Sequence, residues 1–245
     1  MNNPIQEFKK QKKARIKGYG KNKSLLAAAK EFNIESNKSQ YSYNFSWLGR
    51  PIIQYPQDIL AMQEIIWDIK PDLIIETGIA HGGSLIYYAS LLELIGHGEV
   101  LGIDIDIRKH NRVEIEKHSM FKRIAMIEGS SIDKKIVAQV NKFAKDKKKI
   151  LVILDSNHTE SHVLKELEYY SPLVSKGSYI VVFDTIVEHL PEGYFKEKRP
   201  WHIGNNPMTA VVKFLAKHEN FKINDEINNK LLISVSPNGY LKRIK

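Results

Sequence analysis

The sequence predicts a doubly wound α/β domain whose mostly parallel sheet ends in an antiparallel C-terminal strand. Three observations carry this. From residue 57 onward, helical and extended patterns alternate. The extended segments at 73–76, 150–154 and 178–183 are short apolar runs, as expected of parallel strands covered on both faces. The tail, with extended patterns at 221–223, 231–235 and 240–244, breaks the alternation.

The chain has 245 residues, 42% hydrophobic and 27% charged, enough for one domain with a sizeable core. Residues 1–46 read as a basic N-terminal extension, partly helical, with a helix at 24–32. Residues 47–245 form the domain. Ile59, Leu60, Met62, Ile65, Ile66 and Ile69 recur at helical spacing, and Pro71 stops that helix. Then follow a strand at 73–76, a glycine loop, a helix at 84–94 and a strand at 100–104. A helix at 113–118, a strand at 125–128 and a helix at 134–144 come next. The series continues with a strand at 150–154, a helix at 161–170, a strand at 178–183 and a helix at 208–218. A hairpin across Pro237, Asn238 and Gly239 is expected to join the last two strands.

Cysteine is absent, which excludes disulfides, Cys-ligated zinc, iron–sulfur clusters and a Cys nucleophile. No apolar run reaches the length of a membrane span, and the N-terminus lacks an apolar signal core. The expected compartment is the cytoplasm. The net charge of +9 invites a nucleic-acid partner. Yet the cations cluster in residues 9–23, which hold no acid, and in the run Lys145 to Lys149. Tyr19 is the single aromatic residue among them, short of the interleaved set that a base-stacking platform requires.

In open α/β sheets, ligands bind beyond the carboxyl ends of the strands. The first such end reads Glu76-Thr77-Gly78-Ile79-Ala80-His81-Gly82-Gly83-Ser84. Its glycines permit a sharp turn and close approach to a ligand, and the next helix offers free N–H groups. The spacing is not that of a dinucleotide loop. Glu76 suits an ammonium group better than a pyrophosphate. Asp104, at the second strand end, can accept hydrogen bonds from a ribose diol. A ribose plus a cationic amino acid describes S-adenosyl-L-methionine (SAM) better than NAD. Ser130 and Ser131, at the third strand end, stand where an adenine would be bordered.

The fourth apolar strand ends in Asp155-Ser156-Asn157-His158, with His162 beyond, and the fifth in Phe183-Asp184-Thr185. Two such carboxylates converging on one cleft suit Mg²⁺ or Mn²⁺. His158 is spaced to accept a proton from a metal-held hydroxyl. The irregular stretch 186–207, with His189, Tyr194, Phe195, Lys198, Arg199, Trp201 and His202, reads as a lid or binding loop.

Together the segments 76–84, Gly102-Ile103-Asp104, 154–158 with His162-Val163 and Glu166-Leu167, 182–185 and Asn206-Pro207-Met208-Thr209-Ala210-Val211 resemble the cephalosporin hydroxylase/rhamnosyl O-methyltransferase family. The resemblance runs from about Trp47 to the C-terminus. It implies a class I SAM-dependent methyltransferase fold, with SAM against Glu76, Gly78, His81, Gly82, Gly83, Ser84, Asp104, Ser130, Ser131 and Asp155. It implies a divalent metal at Asp155, Asp184 and Thr185, with His158 where catechol-type enzymes place their catalytic lysine. Phe183 stands where the family often has a second acid. The implied activity is O-methylation of a sugar or other small polyhydroxylated acceptor, by a homo-oligomer. No trustworthy facial triad supports hydroxylation. Two rival readings stay open: a nucleic-acid methyltransferase that uses the basic leader, and a non-catalytic SAM-binding subunit.

Overall fold

The structure, a computed structural model, describes residues 3–194 and 199–245. Phe195 and Lys198 of the long loop lie outside the described residues. Two helices open the chain, α1 (Pro4–Tyr19) and α2 (Lys23–Lys38), followed by a hairpin of β1 (Phe45–Trp47) and β2 (Arg50–Ile52). The alternating part comprises α3 (Pro56–Ile69), β3 (Leu73–Thr77), α4 (Gly83–Ile95), β4 (Glu99–Asp104), α5 (Lys109–Lys117) and β5 (Ile124–Glu128). It continues with α6 (Lys134–Ala144), β6 (Ile150–Leu154), α7 (Glu160–Tyr170), β7 (Tyr179–Val182) and α8 (Pro207–Leu215). The chain ends in β8 (Phe221–Ile223), α9 (Asp225–Leu231) and β9 (Tyr240–Arg243).

Among the described residues the main sheet has seven strands, in the order β5-β4-β3-β6-β7-β9-β8. Strands β3 to β7 are parallel, and β9 runs antiparallel to both β7 and β8. The expected architecture is therefore present. Apolar strands are needed because both faces are covered. Ile74, Leu151 and Ile153 pack on one side with α3 and α4, while Leu73, Ile75, Val152 and Leu154 pack on the other with α6 to α8. The chain order reverses beside β3, which lies between β4 and β6. Such a switch point leaves a crevice above the strand ends.

Three expectations need correction. The N-terminal extension is more helical than its pattern predicts, because α1 has only Ile16 buried and so carries no apolar periodicity. Its visible signals are a cap, Asn3, and Pro4 in the first turn. The tail hairpin is the second. Residues 231–235 form no strand; β9 pairs with β8 instead. The physical reason is Asp58, fully buried on α3. It accepts hydrogen bonds from Ser234 Oγ (2.6 Å), Tyr240 Oη (2.7 Å) and the Val235 N–H (2.9 Å). The carboxylate thus satisfies polar groups that a ladder would otherwise take. Third, the hairpin β1–β2 had no sequence counterpart.

Burial pushes the Asp58 carboxyl up to about 6, against the lowering effect of those hydrogen bonds. The folded state therefore holds a proton that the unfolded chain releases near pH 4. This contribution, about 3 kcal/mol, is full below pH 4 and is lost as pH rises through 6. An Asp58→Asn variant keeps acceptor and donor capacity but cannot titrate. The stability difference between wild type and variant, from urea unfolding at pH 4 to 7, should therefore shift against wild type as pH rises. A pH-independent difference would contradict this.

Candidate functional site

The crevice is built by the ends of β3, β4, β6 and β7. Gly78 follows β3 with φ +91°, and its N–H donates to the Ile103 carbonyl at 2.8 Å. A side chain there would meet the Asp155 carbonyl oxygen at 2.1 Å, so the backbones of the first and fourth strand ends touch. Gly82, also left-handed, caps α4, and Gly83 opens that helix.

Glu76 is fully buried. Its Oε2 accepts from Ser84 Oγ at 2.7 Å, while Oε1 has no hydrogen-bond partner among the described residues. Burial, with a further push from the Asp104 charge, raises its carboxyl to about 8. An unpaired buried carboxylate oxygen is costly and invites a donor. Asp104 is turned toward the loop. Its Oδ2 accepts from the Ile79 N–H (2.7 Å) and the Ala80 N–H (3.4 Å), and Oδ1 from the Asp106 N–H (3.1 Å). Oδ1 retains a lone pair for a ribose hydroxyl, while both acceptor sites of Oδ2 are taken by the loop. His81 enters mainly through its backbone, whose carbonyl accepts from Arg50.

A cleft of about 240 Å³ runs along this edge, lined by Gly78, Asp104, Ser130, Ser131, Asp155 and His162. Ser130 borders it. The Ser131 hydroxyl faces inward instead, donating to the buried Glu166 at 2.5 Å. Ser156 Oγ donates to the same oxygen at 2.7 Å, and His162 Nε2 lies 3.0 Å from Ser131 Oγ. Glu166, on α7, is thus the anchor of a network that sequence reasoning used only as a motif letter.

Beside this cleft, Asp155, His158 and Asp184 bring one ligand atom each to within 4.8 Å of one another. His158 Nε2 lies 3.2 Å from Asp184 Oδ2, and Trp201 packs edge-on against the imidazole with ring centroids 4.8 Å apart. Asp184 occupies a left-handed turn (φ +54°) directly after β7 and Phe183. Burial, followed by the charges of Asp184, Glu76 and Glu166, holds the Asp155 carboxyl well above the usual range. A cation between the carboxylates would relieve that repulsion. The expected pair of acids therefore does converge, and His158 joins it as a third group. Thr185 departs from expectation: it is fully buried and its hydroxyl proton is committed to the Pro237 carbonyl at 2.6 Å.

Trp201 also belongs to a second cavity, about 460 Å³, lined by Leu190, Tyr194, Arg199, His202 and Ile203 among others. Glu188 ties the two ends of the long loop together, accepting from the Gly204 N–H (2.9 Å) and from Asn206 Nδ2. Arg50 and Asn111, which hold the glycine loop from outside, left no recognisable mark in the sequence.

The family model of rhamnosyl O-methyltransferase/CmcI matches residues 39–244. Rhamnosyl O-methyltransferases of Mycobacterium bovis (strain BCG) and Mycobacterium tuberculosis are each 32% identical over 192 residues, covering 76% of this chain and 73% of theirs. Among solved structures, apo CmcI is similar with a TM-score of 0.61 at 19% identity, covering 83% of this chain and 77% of that one. CmcI with Mg and SAM gives 0.56 at 18% identity, with coverages of 83% and 78%. At those identities the likeness is one of fold, and that fold is the class I methyltransferase one. With the family model matching well over half of the chain and the mycobacterial relatives beyond 30% identity, this chain belongs to the rhamnosyl O-methyltransferase/CmcI family.

Proposed function

We propose that the protein transfers the methyl group of SAM to a hydroxyl of a sugar-containing acceptor, with Mg²⁺ held by Asp155 and Asp184. Methyl transfer from SAM to oxygen is the activity of its family. The observation that supports the finer reading is the Asp155–His158–Asp184 cluster, set between the SAM loop and the aromatic cavity of the long loop.

SAM carries two positive charges, on the sulfonium and the ammonium. Glu76 Oε1, buried and unpaired, suits the ammonium. Asp104 suits the ribose, and Ser130 with the His162 edge borders the adenine. Asp155 and Asp184 offer carboxylate oxygens, the donors Mg²⁺ prefers, and the mutual repulsion of these groups favours a cation. Such an ion, when bound, lowers the pKa of a hydroxyl oxygen and orients it.

His158 is directed by Asp184. A ring whose Nε2–H donates to that carboxylate keeps Nδ1 as the atom that accepts a proton. The balance is simple. The acceptor O–H bond breaks and its proton passes to His158. The oxygen forms a bond to the methyl carbon while the carbon–sulfur bond breaks, and its electron pair neutralises the sulfonium. Displacement needs nucleophile, carbon and sulfur in line, so alignment supplies much of the rate. Leu190, Tyr194, Trp201 and Ile203 give the acceptor cavity apolar walls against which a sugar ring packs, and its position beside His158 brings a hydroxyl to the base.

Two outcomes follow. Asp155→Asn and His158→Gln should each lower turnover on a responsive sugar acceptor by about 100-fold or more, with SAM affinity within a few-fold of wild type. Near-normal turnover in either variant would refute its assigned role. Second, Glu76 must ionise to meet an ammonium, yet its carboxyl sits near 8 in the free protein. SAM binding at pH 7 should therefore release close to one proton, and affinity should fall about tenfold per pH unit below 8. Calorimetry in buffers of different ionisation heat reads this directly. Glu76→Gln should abolish the release; proton-neutral binding by wild type would contradict the ammonium assignment.

A further inference from the structure

The glycine loop contains one strained residue that is not glycine. Ala80 has φ +45°, a left-handed conformation unfavourable to a side chain. Both carbonyls around this point are held from outside the loop. Asn111 Nδ2, on α5, donates to the Ala80 carbonyl at 2.9 Å. Arg50, on β2, donates to the His81 carbonyl from Nε (3.1 Å) and Nη2 (2.6 Å). The two clamps are themselves joined, because Arg50 Nη2 also donates to Asn111 Oδ1 at 3.2 Å.

The elements carrying them close around the loop like a bracket. A Cβ on Gly83 would fall 2.1 Å from the Pro51 carbonyl oxygen, and one on Gly82 would fall 2.3 Å from Ile115 Cδ1. The hairpin therefore presses on one side of the loop and α5 on the other. Their far ends are also tied. His118 Nδ1 accepts the Met120 N–H, so its Nε2 carries the proton and donates to the Leu48 carbonyl at 3.1 Å. Trp47 fastens the hairpin to α4 through Ser90 Oγ (3.0 Å) and the Tyr87 ring.

We propose that Arg50 and Asn111 are positioning residues for cofactor affinity: they stabilise the strained loop conformation that presents the Ile79 and Ala80 N–H groups to Asp104 and shapes the cofactor cleft. Neither residue lines that cleft. They act through the backbone of the loop, so their loss should weaken SAM binding without dismantling the sheet. The proposal rests on the reading of this cleft as the SAM site. It assigns a role to the hairpin, which the strand–helix alternation does not require.

The test measures SAM affinity by calorimetry and thermal stability in the full chain. Arg50→Ala and Asn111→Ala should each raise the SAM Kd at least tenfold, and the double variant should be little worse than either, since the clamps share one hydrogen bond. Arg50→Lys should fall between wild type and Arg50→Ala. The decisive arm is Ala80→Gly, which removes the strain that the clamp opposes. Its own Kd is the reference for the double variant. Combined with Arg50→Ala it should recover most of the lost affinity, which a merely structural loss would not allow. Single variants that bind SAM as wild type does, or an Ala80→Gly that restores nothing, would overturn the proposal alone. A folded wild type that fails to bind SAM would overturn the site reading beneath it, and the proposal with it.

Discussion

The interaction on which the site depends is repulsion among buried carboxylates. The protein carries a net charge of +9, yet the ends of β3, β6 and β7 and the facing helix gather Glu76, Asp155, Asp184 and Glu166. Burial disfavours the charges of Glu76 and Asp155, and the neighbouring carboxylates disfavour them further. Such an arrangement persists where it meets cations. A sulfonium, an ammonium and a divalent metal are the ligands that answer it, and the proposed reaction uses all three. Glu166 is answered within the protein at Oε1, by the hydroxyls of Ser131 and Ser156 and by the His162 imidazole, while its Oε2 has no hydrogen-bond partner among the described residues. Asp58 is answered likewise, by Ser234, Tyr240 and the Val235 N–H. Glu76 Oε1 is left without a partner among the described residues.

The same contrast explains why net charge misleads about partners. The surplus cations sit on α1, exposed along nearly its whole length, and around Lys145 to Lys149, at the opposite end of β6 from Asp155. Gross composition reports the surface, whereas the site is set by a handful of residues at strand ends.

How much was legible follows from which forces act locally. The parallel strands were plain because strands buried on both faces must be continuously apolar, and each ran within a residue or two of its expected place. The acids at strand ends were legible for the same reason: a carboxylate directly after an apolar run has no place in the core and must face the crevice. What failed were features fixed by tertiary contacts. Helix α1 has no apolar stripe to read. Residues 231–235 look like a strand, but Asp58, distant in sequence, takes their polar groups and β8 takes their place beside β9. Ser131 looks like a surface serine at a strand end until Glu166 draws its hydroxyl inward. Arg50 and Asn111 are ordinary polar residues in the sequence, and only the return of the chain brings them to the Ala80 and His81 carbonyls. The family resemblance was legible because its motifs lie at the strand ends, where sequence and site coincide.

The central claim is a cofactor pocket built for the positive charges and ribose of SAM. Calorimetric titration of the purified, folded protein with SAM and, separately, with NAD tests it most directly. The account predicts saturable SAM binding at one site per chain and none of comparable strength for NAD. Absence of SAM binding, or a preference for NAD, would reduce the glycine loop to a strand–helix turn and contradict the account.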